Sequence, residues 1–154
     1  MSKAETQHLE QASHNETFFN FLCENALTSF FDWKVTVTFY SCLHMVRAYL
    51  CKSKKDPGGS HHDVLQCISP KPNGFTPKLA FPKEIYGAFE DLYHHSKSAR
   101  YDGFLSQKGF DELQELHLQD CRENLEIVRK FLEERGLKIK SPKTPPTKEA
   151  EATE

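Results

Sequence analysis

The chain has 154 residues, of which 38% are hydrophobic and 12% aromatic. That length suits one domain with one core, and the aromatic residues supply enough large side chains to fill it. Twenty basic and 22 acidic residues give a formal net charge of -2. This balance excludes a protein that binds nucleic acid over its whole surface, so any such contact must come from a local patch.

The five cysteines are odd in number and scattered, with no two in CxxC spacing, and the first residues do not form a signal peptide. We interpret the cysteines as reduced thiols and expect a cytoplasmic protein. The apolar stretches fall far short of the roughly 20 residues that a membrane-spanning helix needs. We therefore expect no membrane contact.

Apolar residues recur every three or four positions from about Ala4 to Thr28, which predicts a first helix. A second helix is predicted to begin at Trp33, with Asp32 as its N-cap, because an Asp side chain accepts hydrogen bonds from the free N–H groups of a first turn. Its core face would be a heptad-like apolar stripe, which consists of Val35, Phe39, Cys42, Val46 and Leu50.

The second helix is predicted to end in three lysines before Pro57-Gly58-Gly59, which cannot continue a helix. Lys52, Lys54 and Lys55 would complement the negative carboxyl end of the helix dipole. Residues 35–40 alone also have the β-branched and aromatic composition of a strand. We favour a helix because the three- and four-residue spacing continues to Leu50 without a turn signal.

Ser60 and Asp63 have the spacing of a capping box, which predicts a short helix that ends at about Ile68. Residues 69–82 contain four prolines and are predicted to form an irregular connection. Loops of that length are uncommon inside compact domains and are often functional.

A third long helix is predicted to begin at Pro82 and to be followed by a turn at Asp102-Gly103. The fourth long helix spans about Phe110 to Arg135, with Gly136 placed as its terminator. Four long amphipathic helices with mostly short connections predict an all-α fold, an up-and-down four-helix bundle with a short extra helix.

We assign residues 1–139 to this single bundle. Residues 140–154 contain prolines and acidic or polar residues without apolar periodicity. A segment of this composition cannot bury enough apolar surface to fold, so we predict a disordered tail.

The second helix has another stripe, formed by Trp33, Val37, Tyr40, His44 and Arg47. Offsets of four and three residues place the last three on one face, where they could line a common site. Tyr40 and His44 could equally be partly buried residues with satisfied hydrogen bonds beside the bundle's other seam. Spacing alone leaves both interpretations open.

Two histidine pairs, His61-His62 and His94-His95, together with Cys67 raise the question of a zinc site, since imidazole and thiolate suit zinc. Adjacent histidines on a helix point about 100° apart and cannot easily share one ion. We therefore expect no metal site, and no motif in the chain indicates a cofactor.

Two blocks of the sequence resemble prokaryotic members of the HEPN (higher eukaryotes and prokaryotes nucleotide-binding) family. Asp32-Trp33, followed by Phe39-Tyr40 and His44, is similar to the family helix that begins "DW" and continues "FYxxxH". Between the blocks, His61 or His62 stands where the group often has a histidine. The second block is similar to the family ending "YxxLxxxSxxARY", without its Leu, and comprises Tyr93, Ser96, Ala99, Arg100 and Tyr101.

The resemblance implies a helical bundle, commonly a homodimer, that binds nucleotides or RNA. Many members cleave RNA without a metal, as toxins or in defence systems, using an Arg and a His four to six residues apart. The imidazole would exchange protons with the 2'-hydroxyl or the leaving oxygen, and the guanidinium would stabilise the phosphate charge in the transition state.

None of the five arginines is followed by a histidine at that distance, so activity would require residues remote in sequence to converge. We hypothesise a polar cluster in which His44, His61 and Arg100 are the catalytic candidates. The candidates for nucleotide or RNA binding are Asp32, Tyr40, Arg47, Tyr101, Lys52, Lys54 and Lys55.

A second interpretation comes from a different class of protein. The bundle could be a non-catalytic accessory module that docks a nucleotidyltransferase through an exposed helical face. The polar cluster would then only hold the second and third long helices together.

Overall fold

The structure is a computed structural model that describes residues 1–71, 78–101 and 107–142. It comprises α1 (Lys3–Asn25), α2 (Phe31–Lys52), α3 (His61–Ile68), α4 (Lys83–Tyr101) and α5 (Gln107–Glu134), and no strand occurs in these ranges. The predicted all-α bundle with a short extra helix is confirmed. Asn73-Gly74 of the predicted loop, the turn at Asp102-Gly103 and the tail from residue 143 lie outside the described residues.

Helix α2 lies at the centre of the bundle and packs against α1, α4 and α5. Every residue of its predicted apolar stripe is fully buried, and residues 35–40 are helical rather than extended. The ring of Phe39 packs against Phe89 and Tyr93 of α4, at centroid distances of 6.0 and 5.9 Å. The helix–helix core therefore forms on the face that the periodicity indicated.

The predicted start of α2 is wrong, because the helix begins at Phe31 and Asp32 lies within its first turn instead of capping it. Its N-cap is Phe30, whose φ of 57° is left-handed and whose side chain makes no capping hydrogen bond. Burial of the Phe31 ring extends the helix by two residues, and Phe30 adopts the backbone conformation that the sharp turn from α1 requires.

Lys34 is only 2% exposed although lysine is among the residues most rarely buried. Its Nζ donates hydrogen bonds to the carbonyl oxygens of Ala26 and, at 3.2 Å, Leu27. These carbonyls follow the end of α1, where a helix leaves carbonyl oxygens without an intrahelical donor. Lys34 thus fastens the carboxyl end of α1 to the first turn of α2.

Helix α5 ends at the predicted position, because Gly136 adopts a left-handed φ of 77°. Lys52 Nζ donates to the carbonyl oxygens of Arg135 and Gly136. Lys52 therefore caps the end of α5, whereas the sequence suggested that it complements the end of its own helix.

The first residues after the predicted bundle run along α1. Lys140 forms an ion pair of 3.2 Å with Glu10, and Ser13 Oγ donates a hydrogen bond of 2.9 Å to the carbonyl of Ser141. Among the helices in the described ranges, none combines the length and the apolar character that a membrane crossing requires.

Replacing Lys34 by Met should lower the free energy of unfolding by about 1 to 3 kcal/mol, because two carbonyls at the end of α1 lose a charged donor while the volume is kept. Urea unfolding followed by circular dichroism measures the change. Lys130→Met, at an exposed position of α5, is the matched control and should leave stability nearly unchanged. Equal stability of both variants with the wild type would contradict the role given to Lys34.

Candidate functional site

The polar stripe of α2 opens on one side of the bundle, where Tyr40, His44 and Arg47 are each partly exposed. Helix α3 brings His61 to this stripe, and the end of α4 brings Arg100. The structure supports both interpretations of the stripe. Its members are half-buried and hydrogen-bonded, as expected for residues beside a helix–helix seam. They also adjoin side chains from three other helices, as expected for a common site.

Arg100 is held over the stripe by neutral groups. Its Nε donates to the carbonyl of Ser96 at 3.0 Å, and its Nη1 donates to the hydroxyl of Tyr40 at 3.1 Å. The guanidinium lies 4.9 Å from the ring centre of Tyr101 and 5.5 Å from that of Tyr40, distances at which a cation is attracted to an aromatic face. Within the described ranges Arg100 has no ion-pair partner, so its positive charge is available to an anion.

His61, the first residue of α3, packs against aromatic rings of α2 and α4. Its ring lies edge-on to Tyr40 at a centroid distance of 5.5 Å, and to Phe39 and Tyr93 at 5.3 and 6.2 Å. Burial lowers the pKa of His61, and the charges of Arg100 and Arg47 lower it further. At neutral pH its imidazole is therefore uncharged and able to accept a proton.

His44 pairs with His8 of α1, a residue that sequence reasoning missed. The two Nδ1 atoms are 2.9 Å apart, so one ring must donate and the other accept. Burial, followed by the charges of His8, Arg47 and His61, lowers the pKa of His44 to about 4, and burial and Arg47 lower that of His8. His8 directly precedes buried Leu9, but the sequence contains no signal that sets the register of α1 on α2.

Arg47 binds the chain segment that leads into α3. Its Nη1 donates to the carbonyl of Gly58 at 3.0 Å, and its Nη2 donates to those of Gly59 and Ser60 at 3.1 and 3.2 Å. The predicted capping box is confirmed, with Ser60 and Asp63 bonded reciprocally at 3.0 and 2.8 Å. Arg47 therefore positions His61 by holding the residues immediately before it.

Gly58 is required in this segment because its φ is +91°, and a Cβ there would lie 2.8 Å from Oδ2 of Asp63. The close approach lets the segment turn back onto Arg47. Gly58, predicted as part of the terminator of α2, thus also helps to position His61.

The three lysines at the end of α2 separate into two roles. Lys54 and Lys55 line a cleft of about 410 Å³ that also contains His8 and Arg47. Lys52 is occupied by the carbonyls at the end of α5. Of the three lysines predicted to bind nucleotide or RNA, Lys54 and Lys55 therefore lie in the same cleft as His8.

Asp32, like Lys52, is a candidate that the structure does not bring to the others. It precedes Tyr40 by eight residues, which is about 12 Å along a helix axis, and no hydrogen bond or ring contact joins it to the cluster in the described ranges. Arg100, Tyr101, Tyr40 and His61 form one contiguous group, and His44 adjoins it through Arg47 and His61. In the same ranges no three His, Cys, Asp or Glu side chains are grouped so that they could hold a metal ion.

Stability should fall as the pH is lowered from about 6.5 towards 4. The folded state holds the pKa of His44 at about 4, below its ordinary value of 6.5, so the unfolded state binds more protons throughout this window. His44→Gln should remove part of this pH dependence, on the order of 2 kcal/mol after allowance for the ring's partial exposure. Urea unfolding between pH 4 and 7.5 measures it.

His14→Gln is the control for that experiment, because His14 lies on the exposed face of α1 and should leave the pH dependence as in the wild type. An unchanged pH dependence in His44→Gln would show that burial beside His8 and Arg47 does not hold the imidazole neutral.

Comparison of the chain with protein-family descriptions, with curated proteins and with solved structures found no match. The likeness to the HEPN family accordingly rests on the two sequence blocks, and functional inference must start from the geometry of this site.

Proposed function

We propose that this protein is a HEPN-like RNA- or nucleotide-binding protein in which Arg100 receives a phosphate. The observation that carries the proposal is the state of Arg100: the hydroxyl of Tyr40 and the carbonyl of Ser96 orient it, and no described carboxylate neutralises it. An oriented guanidinium with unused N–H donors is well suited to phosphate oxygens. Lys54 and Lys55 extend the positive surface.

The same cluster supplies the two groups that metal-independent RNA cleavage needs. His61 is uncharged at neutral pH and could take the proton of a 2'-hydroxyl, whose oxygen then attacks the adjacent phosphorus. The cyclic phosphate forms as the bond from phosphorus to the 5'-oxygen breaks, and the 5'-oxygen takes a proton from water and leaves as a hydroxyl. Arg100 would stabilise the charge that builds up on the phosphate oxygens. The cutting activity of a toxin or defence ribonuclease is the form of this function that the family resemblance suggests.

His61 is a better candidate for the base than His44 in this proposal. The Nδ1 of His44 is engaged by His8, and its pKa of about 4 makes its imidazole a weak base. His61 has no such partner among the described residues and adjoins Tyr40, which holds Arg100. We assign His44 to support of the site.

The resemblance also suggests a homodimer, which we include in the proposal. The Arg100 and His61 of one chain already adjoin the same tyrosine, so binding would not require a residue from a second copy. Analytical ultracentrifugation gives the mass in solution and tests this component separately from RNA binding.

A second candidate function, docking of a nucleotidyltransferase, is favoured by apolar side chains at the α1–α2 turn. Leu27 is 76% and Phe30 57% exposed, and exposed neighbouring apolar groups are typical of protein-binding surfaces. This surface lies at the end of α2 remote from Lys54 and Lys55. The two candidate functions therefore use different residues.

Arg100→Ala should weaken binding of a fluorescein-labelled RNA by about tenfold, the consequence of losing a charge-assisted phosphate contact. Arg100→Lys should recover part of the loss, since it keeps the charge without the planar fork. If wild type cleaves RNA in the presence of a chelator, His61→Ala should reduce the rate about 100-fold or more. Fluorescence anisotropy and gel electrophoresis are the measurements.

Arg122→Ala is the matched control, because Arg122 is an exposed arginine that lines a different cleft on α5. It should bind and cleave as the wild type does. Failure of the wild type to bind any RNA would overturn the proposed function. Copurification with a nucleotidyltransferase that Leu27→Ser and Phe30→Ser abolish would then establish the docking function.

A further inference from the structure

Two large aromatic side chains remain exposed beside the phosphate-binding cluster. Trp33 in the first turns of α2 is 55% exposed, and Tyr101 at the end of α4 is 70% exposed. Leaving such rings in water forgoes the stabilisation that burial would give. Neither ring belongs to the buried core.

Trp33 stands on the same face of α2 as Tyr40. Seven residues separate them, which is nearly two full turns, so the two side chains point within about 20° of each other and lie about 10 Å apart along the axis. The stripe that starts at Trp33 continues through Val37, Tyr40 and His44 to Arg47 and contains no acidic residue.

Tyr101 approaches the same face from α4, which runs antiparallel to α2. Phe81, just before α4, contacts Tyr49, whereas Phe89 contacts Phe39, nearer the start of α2. The last residues of α4 therefore continue towards the end of α2 that carries Trp33. Arg100 contacts the ring of Tyr101 and donates to the hydroxyl of Tyr40, which stands on the same face of α2 as Trp33.

The side of α1 that carries His8 also carries two amide side chains. Asn15 follows His8 by seven residues and so lies on the same side of α1, and its Oδ1 accepts a hydrogen bond of 3.0 Å from Gln11 Nε2. Amide groups suit the edges of unpaired bases and the 2'-hydroxyl of a ribose. The surface thus presents cations, exposed rings and neutral hydrogen-bonding groups together.

We propose that this surface binds single-stranded RNA, with bases stacked on Trp33 and Tyr101 and the intervening phosphates at Arg100. The inference rests on the proposed function and specifies its substrate. Exposed rings interleaved with cations are the arrangement by which proteins bind single strands. In a duplex both faces of each base are already stacked on neighbouring bases, so bases can stack on the exposed rings of Trp33 and Tyr101 only in a single strand.

Trp33 is the only tryptophan of the chain, so its fluorescence reports this surface alone. Titration with an octauridine should quench the emission, and titration with a duplex RNA of eight base pairs should leave it unchanged. Trp33→Ala should weaken octauridine binding, measured by anisotropy, roughly 5- to 100-fold, the effect of losing one stacked base. Trp33→Phe should retain most of the affinity, because a smaller aromatic face still stacks.

Phe21→Ala is the matched control, because Phe21 is a similarly exposed aromatic residue, at 46%, on the opposite side of α1 from His8. It should bind octauridine as the wild type does. Arg100→Ala provides the internal reference for the proposed function, because it should weaken binding whether or not the strand stacks on Trp33.

Three outcomes would overturn the inference. If Arg100→Ala weakens RNA binding but Trp33→Ala does not, the phosphate site stands and the stacking is wrong. If duplex and single strand bind equally with no change in fluorescence, selectivity for single strands is wrong. If Trp33→Ala lowers the molecular mass in ultracentrifugation and leaves RNA affinity unchanged, the exposed rings form an interface between copies of the chain.

Discussion

The burial of α2 among three other helices is the constraint on which the rest of the structure depends. Fourteen of its 22 residues are buried, so most of its circumference is in contact with α1, α4 or α5. The buried hydroxyls of Thr38 and Ser41 are compatible with this environment because they donate to the carbonyls of Lys34 and Val37 one turn earlier. The helix cannot rotate about its axis without exposing this core. The side of the bundle on which Tyr40, His44 and Arg47 lie is therefore fixed.

Two arginines, Arg47 and Arg100, set the electrostatics around the polar stripe of α2, and neither forms an ion pair with the described residues. The charges of Arg47 and Arg100 disfavour protonation of the histidines beside them, and these neutral imidazoles in turn add no further repulsion. An anion bound at Arg100 would reverse the effect on His61, because it would offset the guanidinium charge and raise the pKa of the imidazole. Binding of an anion at Arg100 and protonation of His61 would thus be coupled through one residue.

The parts of the fold that sequence could predict are those that depend on local chemistry. The apolar stripe of α2, the Ser60–Asp63 capping box and the Gly136 terminator each follow from residues within one or two turns of each other. Local sequence could not predict that Arg100 and His61 both lie next to Tyr40, because periodicity alone placed these residues on three separate helices. The comparison of the two sequence blocks with a known family pointed to it.

The features that escaped prediction are those decided between elements. His8 meets His44 only because α1 packs on α2 in one register, and Lys34 is buried only because the end of α1 presents its carbonyls there. The cap assigned to Asp32 failed for a similar reason, because burial of the neighbouring Phe31 ring outweighed the preference of an aspartate for the N-cap position. Tertiary packing overrides local preference at each of these positions.

Arg47 illustrates how the architecture can mislead an alanine scan. Its guanidinium bridges the three carbonyls that precede α3, so its removal would free the segment that presents His61. A loss of RNA binding in such a variant would imitate the loss of a phosphate contact, although the guanidinium already donates three hydrogen bonds to the chain's own backbone. The hydrogen-bond partners of a basic residue on this face show whether it braces the scaffold, as Arg47 does.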